Sequence, residues 1–394
     1  MERCVVVGAS MAGLRAAEAV RKTGFGGEVV VIGDEPHMPY NRPPLSKEAL
    51  LGTAPADLAF RVPRAAQDVT WRLGERATGA DLDARTLTLA GGETLEWSGL
   101  VVATGLTPRR LSLPGPAAGR HVIRTLDDVV ALRKELIAGA RLVIVGAGFI
   151  GCEVAAAARV ADVEVDVVAP EQVPVERPLR AELGRALQRR HEAHGVRFHL
   201  GTVPVAYLGT SRVTGLRLSD GTELAADVVL EAVGCVPNTG WLEGNGLDLG
   251  DGVQCDNLLR VEGRPDVVVC GDVASFPNLL FDDVPRRVEH WTMVTDTAKR
   301  AGATLGRHLV GEPADPAPFA PIPSFWSDQY DLRLQSFGAV GLGADDVRVL
   351  EGDLDADVAV GYHREGRLVG VVLIGLPQRY QHYRALIAGS AARS

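Results

Sequence analysis

Apolar residues in this chain gather in short, continuous runs, and two of those runs open the same kind of unit. Val5-Val6-Val7 leads into a glycine turn, Gly8-Ala9-Ser10-Met11-Ala12-Gly13, then an alanine-rich helix pattern to about Lys22. Val29-Val30-Val31-Ile32 follows and ends in Gly33-Asp34-Glu35. Strand, glycine turn, helix, strand and acid, in that order, is the context a dinucleotide fingerprint requires. A second copy runs from Leu142-Val143-Ile144-Val145 through Gly146-Ala147-Gly148-Phe149-Ile150-Gly151 and an alanine-rich helix to Val163-Glu164-Val165-Asp166-Val167-Val168. One such glycine pattern is weak, because glycine turns between strands and helices are common; two, each in a complete βαβ setting, predict two nucleotide sites.

Each unit is followed by a buried-type strand that runs into a glycine and then a proline. These are Gly99 to Pro108, containing Ala103-Thr104-Gly105, and Asp227 to Asn238, containing Val233-Gly234. Such stretches suit chain crossings between domains. Another strand, Val267-Val268-Val269-Cys270, ends in Gly271-Asp272. Prolines crowd 313–323, which reads as a linker, and the alternating patterns at 357–362 and 368–374 predict an antiparallel sheet.

Composition narrows the class. With 394 residues the chain exceeds one core, and 46% hydrophobic residues with a mean hydropathy of +0.08 describe a soluble globular protein. No apolar run approaches the roughly 18 residues that span a bilayer, and MERCVVVGAS lacks the features of a signal peptide, so a cytoplasmic location is expected. The five cysteines (4, 152, 235, 255, 270) are odd in number and scattered, which suggests buried small hydrophobes rather than a disulfide framework or a metal site. A net charge of -9 argues against non-specific nucleic-acid binding.

The glycine turns allow a helix N-terminus to approach a pyrophosphate, where free N–H groups and the helix dipole favour anions. Ser10 stands where the middle glycine is usual, small enough to keep the site and with a hydroxyl to offer a phosphate. Asp34 is placed to accept hydrogen bonds from an adenosine ribose, and Asp272 can hold a polyol chain. The loop Tyr40-Asn41-Arg42-Pro43-Pro44-Leu45-Ser46-Lys47 is stiff, cationic and free of sulfur, with one of only four lysines in the chain. Its two prolines exclude a helix interior or central strand and predict an extended or turn shape.

Taken together, GASMAG, the Gly-Asp-Glu strand end with YNRPPLSK, the Ala-Thr-Gly strand end, GAGFIG followed by Cys152-Glu153, VVVCGDVA and Phe325-Trp326-Ser327-Asp328-Gln329-Tyr330 resemble the FAD-dependent ferredoxin reductases of bacterial oxygenase and cytochrome P450 systems. The resemblance spans essentially the whole chain. It implies a glutathione-reductase-like α/β fold with two Rossmann-type dinucleotide-binding domains plus a C-terminal α+β domain. The implied boundaries are 1–108 with 237–313 for FAD, 109–236 for NAD(P)H and 314–394 for the C-terminal domain. Carried over by position, it implies FAD contacts at Gly8, Ser10, Ala12, Gly13, Asp34, Arg42, Pro44, Lys47, Ala77, Thr104, Gly105, Arg124, Gly271, Asp272 and Trp291. It implies nicotinamide-nucleotide contacts at Gly146, Gly148, Ile150, Gly151, Glu153, Glu171 and Gly234. Lys47, Glu153 and Trp326 are the implied residues beside the reacting rings.

Disulfide reductases of that fold carry a C-x-x-x-x-C pair after the first unit, and oxygen- or peroxide-reducing members a single cysteine there. This chain has Pro43, Pro44 and Leu45 in that region and no cysteine between Cys4 and Cys152. The resemblance therefore implies hydride transfer from NAD(P)H to FAD, then single electrons to a small [2Fe-2S] or other iron-sulfur ferredoxin that feeds an oxygenase or cytochrome P450. It further implies a monomer or weak dimer. Arg61, Arg64, Lys299, Arg300 and Arg333 are candidates for a basic docking patch. Competing readings are a rubredoxin reductase, a thiol-free NADH oxidase, and a redox-responsive interaction flavoprotein resembling apoptosis-inducing factor. The second strand ends in Val168-Ala169-Pro170-Glu171, without an acid at the usual place but with Glu171 two residues on. The balance favours NADH, with NADPH also accommodated.

Overall fold

The structure, a computed structural model, describes residues 2–391. Its first strand, β1 (Arg3–Val7), has Cys4 and three valines at 3% exposure or less. A strand apolar on both faces needs both covered, which parallel sheets with flanking helices provide. The chain turns through Gly8 into α1 (Met11–Lys22) and returns in β2 (Glu28–Gly33), parallel to β1 with Val6 opposite Val31. β3 (Thr70–Leu73) extends the sheet beyond β2, while β4 (Gly99–Val102) pairs with the other side of β1, Val6 opposite Val101. The neighbours of β1 thus lie on opposite sides of it. That reversal leaves a crevice at its carboxyl end, where ligands of open α/β sheets bind.

The second copy repeats this plan. α2 (Leu126–Arg133) starts at a capping box in which Thr125 and Asp128 satisfy each other's backbone N–H groups. β5 (Arg141–Val145), α3 (Phe149–Val160) and β6 (Glu164–Ala169) form the βαβ unit, α4 (Glu176–Ala193) leads to β7 (Val196–Leu200), and β8 (Val228–Glu231) returns to the free side of β5. β9 (Arg264–Val269) joins β4 in the first sheet, and α5 (Trp291–Leu309) packs along α1. Small residues make that approach close: a Cβ on Gly302 would lie 2.5 Å from the Ala16 carbonyl oxygen. The last segment is an antiparallel sheet, as the alternation predicts. It is built from β10 (Ser324–Gln329), β11 (Leu332–Gly338), β12 (Val347–Gly352), β13 (Val358–Arg364) and β14 (Arg367–Ile374), in the order β10-β11-β14-β13-β12.

Two compact units result. One holds residues 2–41, 59–107 and 237–324 around a single core that contains β1, β2 and β4; the other holds 42–58, 108–236 and 325–391. Within the second, the C-terminal sheet shares a core with α4: Leu179, Leu183 and Leu187 pack with Leu334, Val358, Tyr362 and Val372, and Tyr362 donates to the Leu179 carbonyl at 3.0 Å. The loop 42–58 belongs to this second unit. Its prolines are the first two residues of a 3-10 turn, Pro43–Ser46, where no backbone N–H is required, so of the two shapes expected, extended or turn, the stretch takes the turn.

Among the described residues no helix is long and apolar enough to cross a membrane. Cys4, Cys152, Cys255 and Cys270 are buried and Cys235 half-buried. Burial pushes the thiols of Cys4, Cys152 and Cys270 up to about 12, so none is a ready thiolate.

Candidate functional site

The first unit brings most of its candidate residues to the end of β1. Gly8 has a φ of +122°, and a Cβ there would sit 2.0 Å from the Ala103 carbonyl oxygen, so the turn lies flat against Ala103-Thr104. A Cβ on Gly13 would lie 1.9 Å from the Gly8 oxygen, which requires the third glycine. Gly33 packs on Ala9, setting exposed Asp34 beside the turn, and Gly271 approaches the Ala12 methyl. Thr104 and Gly105 are fixed by Asn238: Thr104 Oγ1 donates to its carbonyl at 2.7 Å, and Asn238 N–H donates to the Gly105 carbonyl at 3.0 Å. Glu75 N–H donates to the Gly33 carbonyl at 2.8 Å, so the strand that begins at Ala77 starts out next to Asp34.

Two observations fit this corner to an anionic nucleotide. Ser10 is the N-cap of α1, yet its side chain makes no cap hydrogen bond, and the first turn of α1 carries no acid. The leading N–H groups of the helix are therefore left for an outside acceptor. Asp272 follows Gly271 in a short 3-10 turn, with Arg287 donating to its carbonyl at 3.1 Å. Trp291 opens α5 and stacks on Phe60, ring centroids 6.4 Å apart.

The second unit repeats the turn. Gly146 has a φ of +110°, with a Cβ position 2.3 Å from the Ala232 oxygen, and Gly151 would place a Cβ 2.1 Å from the Gly146 oxygen. Gly148, the N-cap of α3, differs: a Cβ there would meet nothing within 4 Å. The fold does not demand glycine at that position, so the open space is a cradle that a side chain would fill. Ile150 is 44% exposed on the same helical turn, an apolar surface beside that cradle, and Gly234 follows the Ala232-Val233 stretch on which Gly146 rests. At the end of β6, half-buried Glu171 lies 3.6 Å from the exposed guanidinium of Arg177.

The loop 42–58 places its two cations in this unit. Arg42 donates to the carbonyl of Arg124 at 2.7 Å, just before the N-cap of α2. Lys47 reaches α3: its ammonium lies 2.7 Å from Glu153 Oε2, with side-chain exposures of 12% and 4%. Pro43 rather than Pro44 supports the lysine, its carbonyl accepting from Lys47 Nζ at 3.2 Å; the Pro44 carbonyl accepts from Lys47 N–H. Two further donors complete the carboxylate, Ser46 Oγ to Oε2 at 2.5 Å and Ser327 Oγ to Oε1 at 2.7 Å. An ion pair this buried persists only when its remaining lone pairs are satisfied, as here.

Ser46 and Ser327 are absent from the candidates of the sequence analysis. The signal for Ser327 is alternation: in FWSDQ, Ser327 and Gln329 share one face of β10 and are buried, whereas Trp326 points the opposite way. Trp326 is half-buried, with the Arg333 guanidinium 6.0 Å from its ring centroid. Of the basic-patch candidates, Arg61, Arg64 and Lys299 are exposed, but Arg300 is withdrawn from the patch: it donates to the carbonyls of Asp315 and Ala317 and is 12% exposed.

One buried histidine, His191, and one half-buried, His290, give a prediction about stability. Burial pushes His191 down to about 4 against the pull of its Gln329 hydrogen bond, and burial likewise lowers His290 to about 4 against the nearby Asp272. The unfolded chain takes up these protons near pH ~6.5 and the native one only near 4, so stability is complete above ~6.5 and drains away as pH falls through that window. The expected loss is up to about 3 kcal/mol for each histidine at the acid end. Thermal midpoints measured from pH 8 to 5 should stay level and then fall below ~6.5, with His191→Asn flattening the decline. A level profile down to pH 5 would refute this.

Residues 2–302 match the family model described as pyridine nucleotide-disulphide oxidoreductase, and 324–393 the one described as reductase C-terminal. The chain is 36% identical over 391 residues to the 5,5'-dehydrodivanillate O-demethylase ferredoxin reductase subunit of a Sphingobium species, covering 98% of this chain and 92% of that protein. It is 35% identical to the anthranilate 1,2-dioxygenase system ferredoxin–NAD(+) reductase component of Burkholderia cepacia, covering 98% and 94%. Among solved structures, the crystal structure of the covalent putidaredoxin reductase–putidaredoxin complex superposes with a TM-score of 0.91 at 30% identity, covering 99% of this chain and 93% of that one.

Proposed function

The chain belongs to the pyridine nucleotide-disulphide oxidoreductase family, with its reductase C-terminal segment in place, and from that premise we propose that it is an FAD-dependent ferredoxin–NAD(P)+ reductase serving an oxygenase or cytochrome P450. The observation that carries the reading is the buried Lys47–Glu153 ion pair, made by a loop that holds no cysteine. Bound FAD supplies the conversion of a two-electron hydride from NAD(P)H into single electrons for an iron-sulfur acceptor.

The residues divide the remaining work. Gly8, Ser10 and Gly13 present the α1 N-terminus to the FAD pyrophosphate, with Asp34 at its ribose; Gly146, Gly148 and Gly151 do the same for the nicotinamide nucleotide. Ala12, Ala77, Thr104, Gly105, Gly271, Asp272 and Trp291 are the further FAD contacts in this reading, as are Arg42, Pro44 and Arg124. Ile150 and Gly234 flank the nicotinamide nucleotide. Glu153 pairs with Lys47 and holds its ammonium in place, which would stabilise negative charge developing on a bound ring. With every thiol buried or half-buried and no cysteine in the 42–58 loop, electrons leave without a thiol relay. Trp326 lines the exit side.

The three-domain division at 108, 236 and 313 belongs to this proposal, as does a cytoplasmic location. NADH is the preferred donor: Glu171 takes the ribose hydroxyls and repels a 2′-phosphate, while Arg177 beside it is its salt-bridge partner. The test is reduction of cytochrome c with NADH and NADPH in parallel, with and without small ferredoxins and rubredoxins. The expected result is NADH-driven turnover that requires a ferredoxin. Turnover that needs no iron-sulfur protein would overturn the reading.

A further inference from the structure

Buried polar side chains destabilise a fold unless satisfied, and an apolar replacement of similar volume is often more stable. Around α4 the core is otherwise mostly leucine and valine, yet Glu153, Ser327, Gln329 and His191 are buried there at 4%, 0%, 2% and 1% exposure in one unbroken chain. Its direction follows from chemistry. A carboxylate only accepts, so Ser327 donates to Glu153 Oε1 at 2.7 Å and in turn accepts from Gln329 Nε2 at 3.0 Å. The amide oxygen of Gln329 then faces His191 Nε2 at 2.8 Å. Because that oxygen can only accept, the imidazole carries its proton on Nε2. Nδ1 is left to accept from the Tyr330 hydroxyl at 3.3 Å.

The far end is held as firmly as the near one. Tyr330 has a φ of +56°, a left-handed conformation that costs an aromatic residue energy, and it persists with its ring stacked on His194 at 3.7 Å. Tyr330, His191, His194, Arg190 and Arg333 line an open cleft of about 340 Å³ between α4 and the β10–β11 hairpin. The chain therefore runs from a buried ion pair to solvent. It does not conduct protons, since the Gln329 amide cannot pass one on without isomerising.

We propose that Ser327, Gln329 and His191 are positioning residues for Glu153, a polarised donor chain that fixes which carboxylate oxygen takes Lys47 and which is held away. This rests on the reading that Glu153 stands beside the nicotinamide. Oε2 takes Lys47 and Ser46, and Oε1 takes Ser327. With the chain cut, Oε1 loses its oriented donor and the carboxylate is held chiefly through Oε2, by Lys47 and Ser46.

Ser327→Ala and Gln329→Met each cut the chain without altering Glu153. In the holoenzyme each is expected to lower the limiting rate of flavin reduction by NADH about three- to ten-fold, with KM for NADH unchanged. Neither should lower it further in a Glu153→Gln background, because residues acting through one group are not additive with its removal. NMR of selectively labelled histidine, which needs no turnover, should find His191 as the Nε2–H tautomer, with the Nδ1–H form appearing in Glu153→Gln, where a neutral amide no longer dictates direction. A wild-type His191 protonated on Nδ1, or losses that add to that of Glu153→Gln, overturns the proposal. Should Glu153→Gln itself leave the rate untouched, the placement of Glu153 at the nicotinamide falls, and the tautomer still decides the chain.

Discussion

Lys47→Met is expected to slow flavin reduction by NADH about a hundred-fold, the scale of removing one oriented charge from a reacting centre. It should also cost roughly 3 to 5 kcal/mol of stability, because Glu153 would be left without its cation, 4% exposed and held by Ser46 and Ser327 alone. The two effects come apart in Lys47→Met/Glu153→Leu. Removing both charges relieves the buried carboxylate, so urea unfolding should return most of the stability. The stopped-flow rate should stay low, because the ammonium is what the chemistry lacks. If the double variant recovered both, Lys47 would be a structural anchor only, and unchanged rates in the single variant would remove its catalytic role outright.

How much of this was legible in the sequence depends on the distance over which each feature is built. The glycine turns are local. Gly8 and Gly13 meet within one turn, the Gly8 carbonyl leaving no room for a Cβ on Gly13, and the pattern announces itself even though the Ala103 carbonyl that presses on Gly8 comes from far along the chain. Arg42 and Lys47 were visible as an oddity, a rigid cationic loop, although which of the two shapes Pro43–Ser46 takes was not, because two prolines at the start of a 3-10 turn read much like two prolines in an extended loop. The partners of the ion pair lay out of reach. Ser327 meets Glu153 across 174 positions, and Gln329 meets His191 across 138. Nothing near His191 in the sequence distinguishes it from a solvated histidine late in a charged helix. Arg300 shows the converse: it reads as surface charge, and the carbonyls that bind it come from a proline-rich stretch whose path no local pattern fixes.

The two glycine turns make opposite kinds of failure, and that contrast is the second large effect expected. Gly8→Ala forces a methyl to within 2.0 Å of the Ala103 oxygen at a φ of +122°, and neither strand can yield without opening the sheet. The cost should exceed about 3 kcal/mol, and the protein should purify colourless, without FAD. Gly146→Ala meets the Ala232 oxygen at 2.3 Å and should cost as much, but in the other unit: flavin retained, dithionite able to reduce it, NADH not. Gly148→Ala then isolates binding from folding. Its methyl enters open space, so the thermal midpoint should hold, while a nucleotide lying in that cradle is pushed off the α3 N-terminus and its affinity falls about ten-fold. Absorbance spectra and NADH titrations of the three variants decide the matter. If Gly148→Ala binds NADH as tightly as the wild type, the space it fills is not where the nucleotide lies, and the second turn serves the fold alone.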